Sequence, residues 1–366
     1  MKIKNIFFAA ILVLAGFSCS MEDDAIMNDV EKGVEEATEA YTVLDFGVAF
    51  NEMATKSTTV EPGASEDATG NENEGEKKIS EISVFLLEGG KVMGILRPEK
   101  VNQVSSNPDG SITLKDLKFV TKYKAGRTLE AHVVINGNQF LKDINIGDAE
   151  TQLNKSISGC LSADQLIKYG SKDIVFGTNV TEHNPSPSVA ENNPTTILVK
   201  VSHVAARIDF SEFSVTLKDF GDKTPIITFD EAKFVNLQQD GKIFGEYANG
   251  NVEEGASLNL KNQVGTVWTN MGTVYGYANQ YSAELPNSNT ALYVKFTVDG
   301  RIFEKTYPIN PKNGDNVTNK VGHTGIKGGY LYDIKVHWTI TPKWGDSTIE
   351  FYTRDWVHNT IPEIVL

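Results

Sequence analysis

The residues able to do covalent or metal chemistry are few in this chain. Two cysteines stand at positions 19 and 160, too few for a disulfide framework or a Cys-rich metal site. Six histidines, at 132, 183, 203, 323, 337 and 358, include no pair three or four residues apart, the spacing that puts two imidazoles on one helical face for zinc. Each is read as a surface or strand histidine rather than a ligand. The sequence has no Gly-x-Ser-x-Gly elbow, no Gly-x-x-x-x-Gly-Lys-Ser/Thr loop and no Gly-x-Gly-x-x-Gly after a strand, hence no nucleophile elbow and no phosphate cradle. Acidic pairs such as Asp23-Asp24 and Glu253-Glu254 have the groups for acid–base work, but loop carboxylates are ordinarily just solvated. No catalytic residue, metal or cofactor is expected, and the reading is of a protein that is not an enzyme.

The chemistry the sequence does carry is processing. Lys2 and Lys4 precede an apolar run from Ile6 to Phe17, too short to cross a bilayer but of the length of a signal-peptide core. The run ends in Leu14-Ala15-Gly16-Phe17-Ser18-Cys19, where small residues before a cysteine resemble a bacterial lipobox. Residues 1–18 are then a signal peptide and Cys19 the lipidated first residue, holding the precursor to a membrane by its lipid. The alternative is an ordinary cleaved signal peptide that contains a cysteine. With Cys19 modified, Cys160 has no partner and reads as a small buried apolar residue. The second processing point is Lys56-Ser57, at the start of a stretch to Lys78 rich in Glu, Gly, Ser, Asn and Thr. Such a stretch is exposed and open to a trypsin-like protease, whereas the first arginine, Arg97, lies before Pro98 and is a poor site.

The elements that position these points are strands. Residues 20–40 are acidic and read as a tether. In Tyr41–Asn51, Leu44, Phe46, Val48 and Phe50 fall on one face of a period-two pattern, and Asp45, Gly47, Ala49 and Asn51 on the other. A one-faced strand is thus tied to the remainder through a severable segment, either as a removable strand or as a plain N-terminal edge strand with a surface loop. Further strand-like runs include 79–87, 111–120, 129–136, 173–176, 196–210, 213–217, 226–237, 292–298, 301–309, 330–341 and 349–353. Asp-Gly at 109–110, 240–241 and 299–300 supplies hairpin turns. One helix is expected at Ser162–Tyr169, capped by Ser162, and Gly272–Asn289 reads as an exposed loop.

Length and charge bound the rest. A chain of 366 residues with 40% AVILMFWYC holds about two domains. Lys plus Arg is 34 against 48 for Asp plus Glu, a net charge of −14, which argues against a nucleic-acid binder because a protein that neutralises phosphates must present a basic face. The expected fold is all-β: two antiparallel β-sandwich domains of transthyretin-like type in tandem, with little helix. The Pro- and Asn-interrupted segment 181–195 marks the junction. Residues 19–56 form the leader with the removable first strand, 57–195 the N-terminal domain and 196–366 the C-terminal domain.

Taken in order, several segments resemble the fimbrillin family of the Bacteroidales, the lipoprotein-derived pilins of major and minor fimbriae. They are the end at Cys19; Val43–Phe50 followed by Lys56; Ile79–Leu87; Ala131–Asn136; Ile174–Gly177; Val199–Ile208; Tyr330–Val336; and Ile349–Leu366. The resemblance implies export as a lipidated precursor to the outer membrane and then a cell-surface fimbria. It further implies cleavage after the first strand by a maturation protease, and polymerisation when a neighbouring subunit's donor strand enters the vacated groove. On this chain Leu44, Phe46, Val48 and Phe50 are the placeholder, and the cut falls between Lys56 and Ser57, where the family usually has arginine. The donor is the apolar tail, with anchors Trp356, Ile361, Ile364 and Leu366. Implied partners are copies of the chain or related pilins, the protease, and host or bacterial surface ligands. A stalk position follows from having both a cleavable leader and a donor tail. The alternatives are a tip or anchor subunit, or a monomeric surface lipoprotein that binds glycan or host matrix through the aromatic-bearing loop Trp268–Tyr281; a third class is a secreted hydrolase. Asp346-Ser347-Thr348 resembles a short O-glycan acceptor of the same phylum.

Overall fold

The computed structural model describes residues 40–50, 74–98, 103–106, 112–123, 126–176, 195–248, 252–253, 255–258, 263–310, 323–343 and 345–355. Strands of the first half are β1 (Ala40–Phe50), β2 (Ile82–Glu88), β3 (Lys91–Leu96), β4 (Gln103–Ser106), β5 (Ile112–Tyr123), β6 (Thr128–Ile135), β7 (Ser156–Ser158), β8 (Lys168–Val175) and β9 (Thr195–His203). Those of the second are β10 (Ala206–Leu217), β11 (Ile227–Val235), β12 (Leu237–Gln238), β13 (Asp240–Lys242), β14 (Val252–Glu253), β15 (Ala256–Leu258), β16 (Gln263–Val264), β17 (Val267–Gly276), β18 (Ala291–Val298), β19 (Arg301–Pro308), β20 (Tyr330–Ile340) and β21 (Gly345–Asp355). Helical structure among the described residues is limited to short 3-10 turns, at Glu74–Lys77, Asn138–Phe140, Glu150–Leu153 and Pro286–Ser288. The described residues are nearly all β, as the alternating patterns predict.

Eight strands of the first half share one hydrogen-bonded order, β3-β2-β6-β8-β9-β1-β5-β4. The join between β8 and β9 spans only Lys168 opposite His203 and Tyr169 opposite Ser202. Both flanks of that join supply one core, with Val84, Leu129 and Val133 from one side and Phe46, Leu117 and Val199 from the other. Gly170 lies beside the join, and a Cβ there would run into the backbone carbonyl of Lys200. A Gly170→Ala variant is therefore expected to lose about 1–3 kcal/mol through forced backbone movement, readable as a lowered urea midpoint.

In the second half a sheet of order β17-β10-β20-β21 faces one of order β15-β11-β18-β19, and Phe210, Phe213, Phe229, Phe234, Phe296 and Trp338 fill the space between them. Asp299 and Gly300 both take positive φ, 48° and 80°, and set Val298 opposite Arg301 in the predicted hairpin. A third core joins the halves: Phe85, Val134 and Leu166 pack with Ile243, Tyr277 and Leu331. The described residues lie within one compact unit.

Several expectations are corrected. Ser162–Tyr169 is no helix: Gln165 N–H donates to Ser162 O in a single turn, Leu166 and Ile167 enter the third core, and Lys168 opens β8. Tertiary burial of two adjacent apolar residues overrides the local pattern. The single strand expected at 196–210 is two strands in two sheets, β9 and β10, so the first sheet continues past 195 to His203. Asp240-Gly241 is no hairpin turn but part of β13, paired with β7. The soft segment expected to run to Lys78 gives way at Glu74 to a 3-10 turn. Cys160 is half-buried against the third core; Gln139 Nε2 donates to its Sγ at 3.2 Å, and burial raises its thiol pKa, away from a reactive thiolate.

Candidate assembly site

The first described strand, β1, is an interior strand. β1 runs antiparallel to β5 on one side, with Leu44 opposite Phe119 and Val48 opposite Ile112. On the other side it runs parallel to β9, with Phe46 opposite Ile197, Val48 opposite Val199 and Phe50 opposite Val201. This is the sole parallel pairing in the eight-strand order among the described residues. A plain edge strand, the alternative open from sequence, is thereby excluded.

Alternation explains the seat. Leu44, Phe46 and Val48 are at most 1% exposed within the first core, and each buried side chain of this size contributes about 1.5–3 kcal/mol. Asp45 points the other way, opposite Lys118; burial raises its pKa and Lys118 opposes the shift. Val43 is also fully buried, so the second face is partly covered. Without β1, both β5 and β9 would present unpaired N–H and C=O groups beside an apolar slot, the arrangement that templates strand addition.

The first described turn after β1 is the 3-10 turn Glu74–Lys77. Glu76 is 0% exposed and accepts from Tyr275 Oη at 2.6 Å and from Arg207 Nη1 at 3.2 Å to each oxygen. Its carbonyl lies 3.2 Å from His203 Nε2. Arg207 also donates to Asp209 at 2.9 Å. Burial works against the guanidinium charge, but Asp209 and Glu76 raise its pKa overall. Burial and the Glu76 carboxylate both push the Tyr275 pKa up. Sequence reading missed this hub, because Glu76 stands in an acidic, polar stretch that reads as solvated; the signal is Arg207, a cation between core residues Ala206 and Ile208 on β10 and half-buried, which calls for a counter-charge.

The expected aromatic loop Trp268–Tyr281 is largely strand β17, and its large side chains face inward. Trp268 and Met271 belong to the second-half core, and Tyr277, 1% exposed, donates to Gly159 O. Of the loop expected at Gly272–Asn289, β17 takes the part up to Gly276, while 277–289 is irregular as expected apart from the 3-10 turn Pro286–Ser288; burial of Trp268 and Tyr277 removes the aromatic platform from which glycan binding was read. The backbone of 346–348 lies in β21, with Ser347 opposite Trp338. Cys19, Lys56, Ser57, Trp356, Ile361, Ile364 and Leu366 lie outside the described residues, as does the junction 181–194; of Phe50 the backbone pairing is described. Among the described residues, one group has the donors for a cation: Glu130, His132 and Glu150.

No model of a protein family matches the chain, and no curated protein does. Solved structures share its fold. A candidate cell adhesion protein from Parabacteroides distasonis superposes with a TM-score of 0.55 at 16% identity, covering 89% of this chain and 99% of that one. A fimbrilin, FimA, from Porphyromonas gingivalis gives 0.50 at 16% identity, covering 89% and 100%. The tip fimbrial protein Mfa3 of the same organism, with a C-terminal truncation, gives 0.50 at 9% identity, covering 87% and 100%. At these identities the likeness is one of fold.

Proposed function

We propose that the chain is a stalk subunit of a cell-surface fimbria, exported as a lipoprotein precursor and polymerised by protease-triggered strand exchange. The carrying observation is the interior seat of β1. The first described strand fills the middle of a sheet, yet its covalent tie to the remainder runs through residues 51–73, whose polar composition suits cleavage after Lys56. Cutting there leaves the strand in place, because three buried side chains and two ladders hold it with an energy comparable to a domain's whole stability of about 5–15 kcal/mol. Release therefore calls for a replacement strand, and the subunit stays closed until one arrives.

The tail from Trp356 to Leu366 has the chemistry of that replacement. Trp356, Ile364 and Leu366 share one face of an extended strand; Ile361 joins them only with a one-residue register shift, which Pro362 would accommodate as a bulge. The partners are copies of this chain or related pilins, with tandem transthyretin-like sandwiches as the repeating unit. Fold likeness to a fimbrilin and a tip fimbrial protein supports this reading over a hydrolase.

Brief trypsin treatment of the full chain, with N-terminal sequencing and native gels over hours, tests it. A new N-terminus at Ser57, followed by ladders that disappear when residues 356–366 are deleted, is expected. A leader that resists cleavage, or a cleaved chain that stays monomeric with its tail intact, overturns the stalk assignment.

A further inference from the structure

β6 places Glu130 and His132 on the face opposite the first core, since Leu129, Ala131 and Val133 between and beside them are core residues. The Glu150–Leu153 turn brings a third donor over the same face. His132 Nε2 lies 2.9 Å from Glu130 Oε1 and 4.0 Å from Glu150 Oε1, and ligand atoms of all three lie within 4.8 Å of one another. A tetrahedral ion with bonds of about 2.0–2.2 Å holds its ligands about 3.3–3.6 Å apart, so small side-chain movements close the site.

Two observations say that the cluster calls for a ligand. His132 is 1% exposed, and its Nε2, aimed between the carboxylates, makes no hydrogen bond, because its close contact with Glu130 lacks the required geometry. Its other nitrogen, Nδ1, is held by the Tyr169 hydroxyl at 2.9 Å, the outer contact that ordinarily orients a metal-bound imidazole. In addition, Glu130 stands directly opposite Asp173 of β8, a cross-strand pairing of like charges that is unfavourable without a counter-charge. Among the described residues, His132 is the only ion-pair partner of Glu130 and Glu150.

We propose that Glu130, His132 and Glu150 bind a divalent transition-metal ion of the zinc type. One imidazole with two carboxylates is a donor set that zinc accepts with a further position open to water, whereas calcium and magnesium prefer oxygen alone. The ion ties the Glu150–Leu153 turn to β6 beside the junction of the halves, where Tyr169 stacks on Phe244 at 4.7 Å. Glu130-Ala131-His132 alternates along a strand and so lacks the helical histidine spacing by which zinc sites are read from sequence.

Isothermal titration of the chelator-stripped full chain with zinc chloride tests the site. One equivalent should bind with a raised melting temperature, and equimolar magnesium should not displace it. Glu150→Gln, at a side chain 39% exposed and thus harmless to folding, should weaken binding by at least about tenfold, and Tyr169→Phe by about tenfold through the lost outer contact. Absence of uptake by the stripped chain, uptake that both variants leave unchanged, or displacement by magnesium would each overturn the proposal.

Discussion

Replacing Phe46 by aspartate in the uncleaved chain is expected to unfold the first half while the second stays folded. Deleting a buried Phe costs about 3–5 kcal/mol, and a carboxylate left in an apolar core adds several more or takes up a proton. Together these approach or exceed the roughly 5–15 kcal/mol that holds a domain together. Hydrogen exchange gives the readout, because β5 and β9 each hold one edge of β1. Their amides should lose protection, while those of β10 and β20, which pair in parallel in the other sheet and have their own core, should keep it. Phe46→Leu, which preserves an apolar side chain in the slot, should leave both sets protected. Protected β5 and β9 amides in the aspartate variant would mean that β1 does not hold the sheet together, and the strand-exchange proposal would lose its basis.

The pattern of apolar residues told which segments are strands, and less about their neighbours. Leu44, Phe46 and Val48 were legible as one buried face because a strand's side chains alternate strictly, and Asp299-Gly300 was legible because two successive positive-φ residues have few other uses. The interior, parallel seat of β1 was not. Pairing partners lie some 150 residues apart in β1 and β9, and alternation is blind to which strand stands beside which. Trp268 was misplaced for a related reason: the polar, Gly-containing residues around it suggested a loop, but β17 is half-exposed and only its inward positions report its burial. Glu130 and His132 shared a face in the sequence pattern, yet Glu150 reaches them only through the fold.

Loss of Glu76 is the second large effect, and it discriminates a positional lock from bulk packing. Glu76→Ala leaves Tyr275 Oη without the 2.6 Å acceptor and Arg207 with one fewer counter-charge in a buried setting. Removing one partner of such a pair costs about 3–5 kcal/mol. Arg207 retains Asp209, which places the expected loss near the lower end, at about 3 kcal/mol. Glu76→Gln still offers an oxygen to Tyr275 but no charge to Arg207, and should lose less than the alanine variant. The triple change Glu76→Leu, Arg207→Met and Tyr275→Phe removes donors and acceptors together and should recover most of the loss, since apolar replacements of a whole buried polar group are often close to neutral. Urea unfolding of the three variants ranks them. Stability alone does not exhaust the effect, because Glu76 lies in the first described turn after residues 51–73, where the proposed cut falls, and is tied to β10, β17 and the end of β9. If the proposed cut at Lys56 occurs, the new N-terminal arm is expected to stay clear of the β1 slot only while this anchor holds. In the triple variant, with near-native stability but without the side-chain tie of Glu76 to Arg207 and Tyr275, cleaved protein should show faster exchange at Lys77 and Lys78; equal exchange in wild type and triple variant would reduce Glu76 to a packing residue.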